Sequence, residues 1–303
     1  MKQMKKITFL TLAAITLFSC GNDTETGDEQ DLLNDFAYAD SLQKQVVISE
    51  EIIEEMIHSI PSPIEMTSLI LSSGAKFDEH ILNNPDNVEK YVSAHSKALN
   101  LGIYGAELGY LNIYEKTMVS VDYISAVRSL AKDLKVDHFF DFQTLKRLAS
   151  SSDNIDSLIN ITTQGFSKMD AYLREQNRTK ASVLIVTGTF IEGLHIATQI
   201  VSKTSNPKIT ERIGEQKMSL NNLILMLNVY KNDPDVAKLI SDFNELKVLY
   251  DGVEIITVYG EPITKEVDGM LVIEDQSTSE VKISKETLEK IIMKTKELRN
   301  KII

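Results

Sequence analysis

The chain has 303 residues, a formal net charge of −12 and an isoelectric point of about 5.0. This acidity argues against nucleic acid and anionic lipid surfaces as partners, because both would repel the protein. Cys20 is the only cysteine, so the chain can form no internal disulfide and its stability must come from a packed core.

The first twenty residues have the layout of a secretory signal. Lys2, Lys5 and Lys6 precede an apolar run over residues 7–18, which is too short to span a bilayer as a permanent helix. The run ends in the string LFSC, which closes on Cys20 and resembles the bacterial lipobox, in which the cysteine is lipidated and becomes the new N-terminus. The alternative interpretation is an ordinary cleaved signal followed by an incidental cysteine.

The lipobox reading divides the chain into a signal peptide over residues 1–19, an acidic tether over residues 20–34 and a body over residues 35–303. Removal of the signal takes away three lysines and no acid, so the formal net charge changes from −12 to −15. Several acyl chains on Cys20 would anchor the protein stably in a membrane. Gly21 does not suggest retention in the inner membrane. We therefore expect a cell-envelope protein at the outer membrane, on its periplasmic side or at the cell surface.

Helix-start signals and helical periodicity predict an all-α body. The start signals are Ser62-Pro63 with a stop at Gly74, Asn84-Pro85, Ser152 or Asp153, and Asp233-Pro234. The periodic segments cover about residues 86–118, 120–135, 137–150, 154–177, 179–203, 208–231, 234–256 and 284–301. Eight such segments with short connections are typical of a multi-helix bundle.

Residues 258–284 break this helical pattern. Gly260, Pro262 and Gly269 separate short β-prone runs such as MLVIE, which predicts a loop or a small β-hairpin. The segment is either an insertion that carries function or a tolerated surface excursion.

One predicted helix carries three glycines on a single face, at Gly102, Gly105 and Gly109. Each glycine inside a helix costs about 1 kcal/mol relative to alanine. The simplest compensation is the close approach of a second helix backbone along the groove that the glycines leave. The alternative is that the small residues make room for a ligand.

The segment around Gly188 and Gly193 predicts the central helix of the bundle. Between residues 181 and 202 the only formal charge is Glu192, whereas a surface helix has a broad charged face. Glu192 and His195 fall within about 40° of Gly188 on a helical wheel, and this polar stripe must face either a thin solvent slot or the interior. If it faces the interior, Glu192 needs a partner.

Glu192 and His195 also have the Glu-x-x-His spacing that helical bundles use to hold iron or manganese. Glu55 and His58 repeat this spacing, and Glu107 on a third helix could complete a carboxylate-bridged metal site. The alternative is a buried polar pair, in which Glu192 and His195 bind each other or a tyrosine and fix the helix register. Both interpretations remain open.

Two sets of sequence strings resemble known groups of proteins. GLHIAT, which contains His195, resembles the Gly-x-His-x-x-Glu signature of imelysin-like envelope proteins, but Thr198 stands at the final position, so the metal site of that family does not carry over to His195. The strings ALNLGIYGAELGYLNIY, KVDHFFDFQTL and GTFIEGLHIATQI resemble an uncharacterised group of helical lipoproteins from Bacteroidetes-type bacteria. That resemblance spans roughly residues 80–300, implies an envelope address and a helical architecture, and suggests that the glycine face packs with the Glu192 helix. We therefore predict that Gly188 and Gly193, like the glycines of that face, are helix-packing residues.

Catalytic motifs are missing from the sequence: there is no nucleophile elbow, Walker loop, dinucleotide fingerprint or zinc-protease motif. We therefore expect a lipid-anchored, non-catalytic binding or structural module with no organic cofactor, whose partner is an envelope protein or a small molecule. The alternative function is a metal-binding helical bundle that uses Glu192 and His195.

Overall fold

The computed structural model describes residues 50–61, 63–150, 155–258, 260, 263–267, 270–274 and 278–303. The signal, Cys20, the acidic tether and the predicted cap residues Ser62, Ser152 and Asp153 lie outside these residues. Statements about structure below refer to the described residues alone.

The all-α fold predicted from the sequence is confirmed, with ten α-helices in the described residues. They are α1 (Glu50–His58), α2 (Pro63–Ser72), α3 (Ala94–Ile113), α4 (Thr117–Asp133), α5 (Phe142–Ala149), α6 (Ile155–Glu175), α7 (Thr179–Lys203), α8 (Pro207–Asn228), α9 (Pro234–Tyr250) and α10 (Lys285–Ile302). Three short 3₁₀ helices cover Glu79–Ile81, Pro85–Lys90 and Asp137–Phe139.

Several helix ends lie where the sequence signals place them. Asn84 and Asp233 cap the elements that follow them, because their side chains accept hydrogen bonds from the backbone N–H groups of Asp86 and Asp235. Gly74, the predicted stop, follows α2 with a φ of +78°, a backbone conformation that favours glycine. The range predicted for the central helix, 179–203, coincides with α7.

Three predicted helices are too long. The segment 86–118 is a 3₁₀ helix followed by α3, which begins anew at the N-cap Ser93, and 137–150 is likewise divided before α5 by the N-cap Asp141. The segment predicted as 234–256 ends at Tyr250, because the chain turns and enters a β-strand at Glu254. Periodicity continues across these breaks, but the local caps end the helices.

The segment between α9 and α10 forms two antiparallel strand pairs. Strand β1 (Glu254–Val258) pairs with β4 (Thr278–Lys282), and β2 (Ile263–Val267) pairs with β3 (Met270–Glu274). Of the two structures predicted for residues 258–284, a loop or a small hairpin, the hairpin is thus the one observed.

Helix α7 lies in the middle of the core. Phe190 is 5% exposed and Leu194 is 2% exposed, and α7 packs against α2, α3, α6, α8 and α10. In the described part of the chain, α7 is also the one helix that is long and apolar enough to span a membrane, but 78% of the relevant window is buried inside the protein. Its apolar character is explained by its central place in the bundle.

Candidate functional site

Two glycines allow α3 and α7 to cross at close range. A Cβ atom added at Gly102 would lie 1.9 Å from the carbonyl oxygen of Ile185, and one added at Gly188 would lie 1.8 Å from that of Leu99. No side chain fits at these distances, so the two backbones touch directly. The crossing fixes the relative position of every functional side chain on the two helices.

The other predicted packing glycines have different surroundings. A Cβ at Gly105 would lie 2.6 Å from the ring of Phe166, whereas one at Gly109 would have Ile64 as its nearest neighbour, at 3.8 Å. A Cβ at Gly193 would have no neighbour within 4 Å. Close backbone packing therefore accounts for Gly102 and Gly188 and leaves Gly109 and Gly193 without that explanation.

On the C-terminal side of the crossing in both helices, Glu107 of α3 and Glu192 of α7 meet around Arg299 of α10. The guanidinium Nε donates to Glu192 Oε2 at 2.9 Å, and Nη2 lies 3.2 Å from Glu107 Oε1 and 3.3 Å from Glu192 Oε1. Both carboxylates have 0% exposure and Arg299 has 5%. The Glu107 carboxylate also accepts a hydrogen bond from the backbone N–H of Asn83. These side chains form a closed buried ion cluster.

His195 lies beside this cluster but binds the backbone. Its Nε2 lies 3.2 Å from the carbonyl oxygen of Ile81, while its Nδ1 is buried without a hydrogen-bond partner. Because a carbonyl only accepts, Nε2 carries the proton in this arrangement. Burial lowers the pKa of His195 and outweighs the nearby charge of Glu192. His195 is therefore a neutral imidazole that ties α7 to the turn at Ile81.

Glu107 holds its proton more tightly than an ordinary glutamic acid. Burial raises the pKa of Glu107 well above its ordinary value, and the neighbouring Glu192 raises it further, against the opposing effects of Arg299 and the Asn83 N–H. Burial alone would lower the pKa of Arg299, but Glu192 and Glu107 raise it overall. The raised pKa of Glu107 favours its neutral form, which reduces the number of desolvated charges around Arg299.

The residues of the hypothetical metal site are only partly brought together. Glu55 and His58 are exposed on α1, and His58 Nε2 lies 3.7 Å from Glu54 Oε1, so neither belongs to the buried ion cluster. Between Glu107 and Glu192 the cation is the guanidinium of Arg299. Within the described ranges no group of three or more His, Cys, Asp or Glu side chains could hold a metal ion. The metal-binding alternative gains no support from this geometry.

Sequence reasoning missed Arg299, although α10 carries a signal for it. The buried face of this helix contains Ile291, Thr295, Leu298 and Arg299, and an arginine in the apolar stripe of an otherwise amphipathic helix indicates a buried partner. The sequence required such a partner for Glu192, yet nothing in the local pattern connects positions 107 residues apart.

A second feature of α3 and α7 is a cavity of about 490 Å³ that α1, α2 and α6 complete. Its apolar lining includes Ile57, Ile64, Phe166, Met169, Ile185 and Val186, together with the backbone at Gly105 and Gly109. Its size falls within the range of small-molecule sites, which are concave and mostly apolar with a few polar groups.

Three charged side chains at this cavity form a paired network. Arg174 Nη1 lies 2.7 Å from Glu54 Oε2, and Arg174 Nε donates to Asp170 Oδ2 at 3.1 Å. Ser182 donates a further hydrogen bond to the Asp170 carboxylate. The hydrogen bond and charge of Arg174 lower the pKa of Glu54. The guanidinium is thus held between two carboxylates.

One polar side chain of the lining has no partner. Thr162 is 7% exposed, lies among the cavity residues, and its hydroxyl oxygen is buried without a hydrogen bond. A buried hydroxyl without a partner is costly. The oxygen has almost no accessible surface, so an occupant of the cavity cannot reach it without a local rearrangement.

No family model, curated protein or solved structure significantly matches this chain. The class of protein is therefore defined by the geometry: an all-α bundle with a closed buried ion cluster and a separate apolar cavity.

Proposed function

We propose that this protein is a lipid-anchored, non-catalytic binding module of the cell envelope, and that the cavity between α1, α2, α3, α6 and α7 is its ligand site. The observation that carries the proposal is the cavity itself, with a volume of about 490 Å³ and a mainly apolar lining that includes one unpaired buried hydroxyl. Pockets of this kind are the usual sites for small molecules.

The state of the acidic residues supports a non-catalytic role. Glu107 and Glu192 are fully buried and bound to Arg299, so a substrate cannot reach them. At the cavity, Glu54 and Asp170 are engaged by Arg174. General acid-base chemistry needs a group within hydrogen-bond reach of the reacting atom, and these acids are held by arginine instead.

The anchoring half of the proposal is supported by the sequence before α1. The signal-like segment ends at Cys20 in the lipobox-like string LFSC, and an acidic stretch follows it. Lipidation there would hold the bundle at the outer membrane, with a small molecule of the envelope as ligand. The alternative partner is an envelope protein.

Expression of the full chain in a Gram-negative host, with Cys20→Ser as the matched control, tests the anchor. We expect the wild-type protein to sediment with membranes and to carry the mass of an acylated N-terminus, and the variant to lack that acyl mass. An unmodified wild-type chain in the soluble fraction would contradict lipid anchoring.

Native mass spectrometry of the gently extracted protein tests the cavity. We expect a bound small molecule in the wild type and in Gly109→Ala, and its loss in Gly109→Leu, whose longer side chain fills the space beside Ile64. Equal occupancy in all three proteins would contradict the assignment of the cavity as the binding site.

A further inference from the structure

The surroundings of the cavity also specify its ligand. We propose that the cavity takes a small molecule with an apolar chain and a neutral or cationic hydrogen-bonding head group, and that it discriminates against carboxylates of the same chain length. This inference rests on the proposed binding function.

The lining sets the apolar part of this ligand. Ile57 of α1, Ile64 of α2, Phe166 of α6 and Val186 of α7 contribute apolar side chains from four helices to one space. A sugar or a nucleotide would lose its hydration there and find few partners, which is unfavourable. An alkyl chain would instead gain the burial of its surface.

Open space lies beside Gly109 on α3. Gly102 is required by the close helix crossing, but a Cβ at Gly109 would have only an ordinary contact, 3.8 Å from Ile64 Cγ1. Alanine at position 109 would thus fit and would favour the helix. A larger side chain such as leucine would extend into the cavity that Gly109 and Ile64 line.

The charges at the cavity select the head group. Arg174 carries the one guanidinium there, and Glu54 at 2.7 Å and Asp170 at 3.1 Å already bind it. His58 also lines the cavity, with its Nε2 3.7 Å from Glu54 Oε1. With histidine counted as neutral, two carboxylates and one guanidinium leave an excess of negative charge, within a chain whose formal net charge is −12. A ligand carboxylate would compete with two fixed carboxylates for Arg174 and be repelled by them, whereas an ammonium group would be attracted.

Competition between three probes of equal chain length tests the proposal. Protein that begins at residue 20 and carries Cys20→Ser is loaded with the neutral dye Nile red at pH 7. 1-Decanol, decylamine or decanoate is then added below the concentration at which each probe aggregates. We expect decanol and decylamine to displace the dye at concentrations at least tenfold lower than decanoate does. Decanoate acting at an equal or lower concentration would overturn the proposal.

Three variants link this result to the structure. We expect Gly109→Leu to lose dye binding and Gly109→Ala to keep it. We expect Glu54→Gln to narrow the difference between the concentrations of decylamine and decanoate that displace the dye. Glu54 has a side chain that is 47% exposed, so this change should leave folding intact, as circular dichroism can verify. An unchanged preference in Glu54→Gln would contradict selection by charge.

Gly109→Leu and the competition between probes together separate the binding function of the cavity from its head-group preference. If Gly109→Leu abolishes dye binding while decanoate proves the best competitor, the head-group inference fails and the binding function stands. If Gly109→Leu leaves dye binding unchanged in a folded protein, the cavity is not the site, and both the proposed function and the ligand class fail.

Discussion

The buried ion cluster and the apolar cavity are built on the same two helices, α3 and α7, but they differ in how their polar groups are satisfied. At the cluster, Glu107, Glu192 and Arg299 bind one another and are closed to solvent. At the cavity, space is left and the hydroxyl of Thr162 is unpaired. The comparison teaches that the most conspicuous charges of this protein bind one another inside the bundle, whereas the proposed ligand site lies where packing is incomplete.

The largest expected effect comes from removing the cation of the cluster. Arg299→Leu leaves Glu107 and Glu192 buried without their partner, which should lower the free energy of unfolding by about 3–5 kcal/mol. Urea denaturation followed by circular dichroism measures the change. The matched control is Lys290→Leu on the same helix, where the pair with Glu286 is exposed and a loss below about 1 kcal/mol is expected. Equal losses in the two variants would show that the cluster contributes no more than a surface pair.

The next effect contrasts two glycines. Gly188→Ala places a Cβ 1.8 Å from the carbonyl oxygen of Leu99 and should destabilise the protein by about 1–3 kcal/mol, because the helices must separate. Gly109→Ala meets no such obstacle and should stabilise it by up to about 1 kcal/mol through helix propensity. Thermal unfolding compares the two, and a stable Gly188→Ala protein would mean that the helices do not cross as closely as described.

The titration of Glu107 gives a pH-dependent effect. Its pKa is raised in the folded protein above the ordinary value of 4.5, so the folded state retains a proton that the unfolded state loses as the pH rises. The stability contributed by this proton is present below about pH 4.5 and is lost as the pH rises through the folded pKa.

Glu107→Gln cannot titrate at this position. Between pH 4.5 and the folded pKa of Glu107, the wild type should therefore lose stability relative to this variant by up to about 1.4 kcal/mol per pH unit. Urea denaturation of both proteins from pH 4.5 to pH 8 provides the comparison. His195 titrates in both proteins, so its contribution largely cancels in the difference. A constant difference across this range would show that Glu107 holds no extra proton.

The smallest effect on stability is expected at the cavity. Thr162→Val removes an unpaired buried hydroxyl and keeps the shape of the side chain, so it should leave the free energy of unfolding unchanged or raise it by less than about 1 kcal/mol. Chemical denaturation without ligand tests this. A clear loss of stability would reveal that the hydroxyl has a bonding role within the protein itself.

Helix α7 shows how far the sequence leads. Its single formal charge, Glu192, among apolar neighbours was enough to predict an interior helix, and the burial of Phe190 and Leu194 confirms this prediction. The same reasoning required a partner for Glu192. The identity of that partner could not be predicted, because Arg299 comes from a helix that is distant in sequence and the pairing is set by tertiary packing.

The cavity was harder to anticipate than the cluster. It is a space rather than a residue pattern, and it depends on how side chains such as Phe166 and Ile64 pack around α3. Gly109 was the only local sign, and the sequence alone could not distinguish it from Gly102, which serves a helix crossing. Only the distances from an added Cβ separate a glycine that permits contact from one that leaves room.

The central claim is that the cavity is a binding site distinct from the structural ion cluster, and ligand-induced stabilisation tests it most directly. A ligand that binds only the folded state raises its stability according to its concentration and dissociation constant. With saturating 1-decanol, we predict a higher urea midpoint for the wild type and for Glu107→Gln, and no change for Gly109→Leu. A shift that survives in Gly109→Leu but disappears in Glu107→Gln would contradict the account.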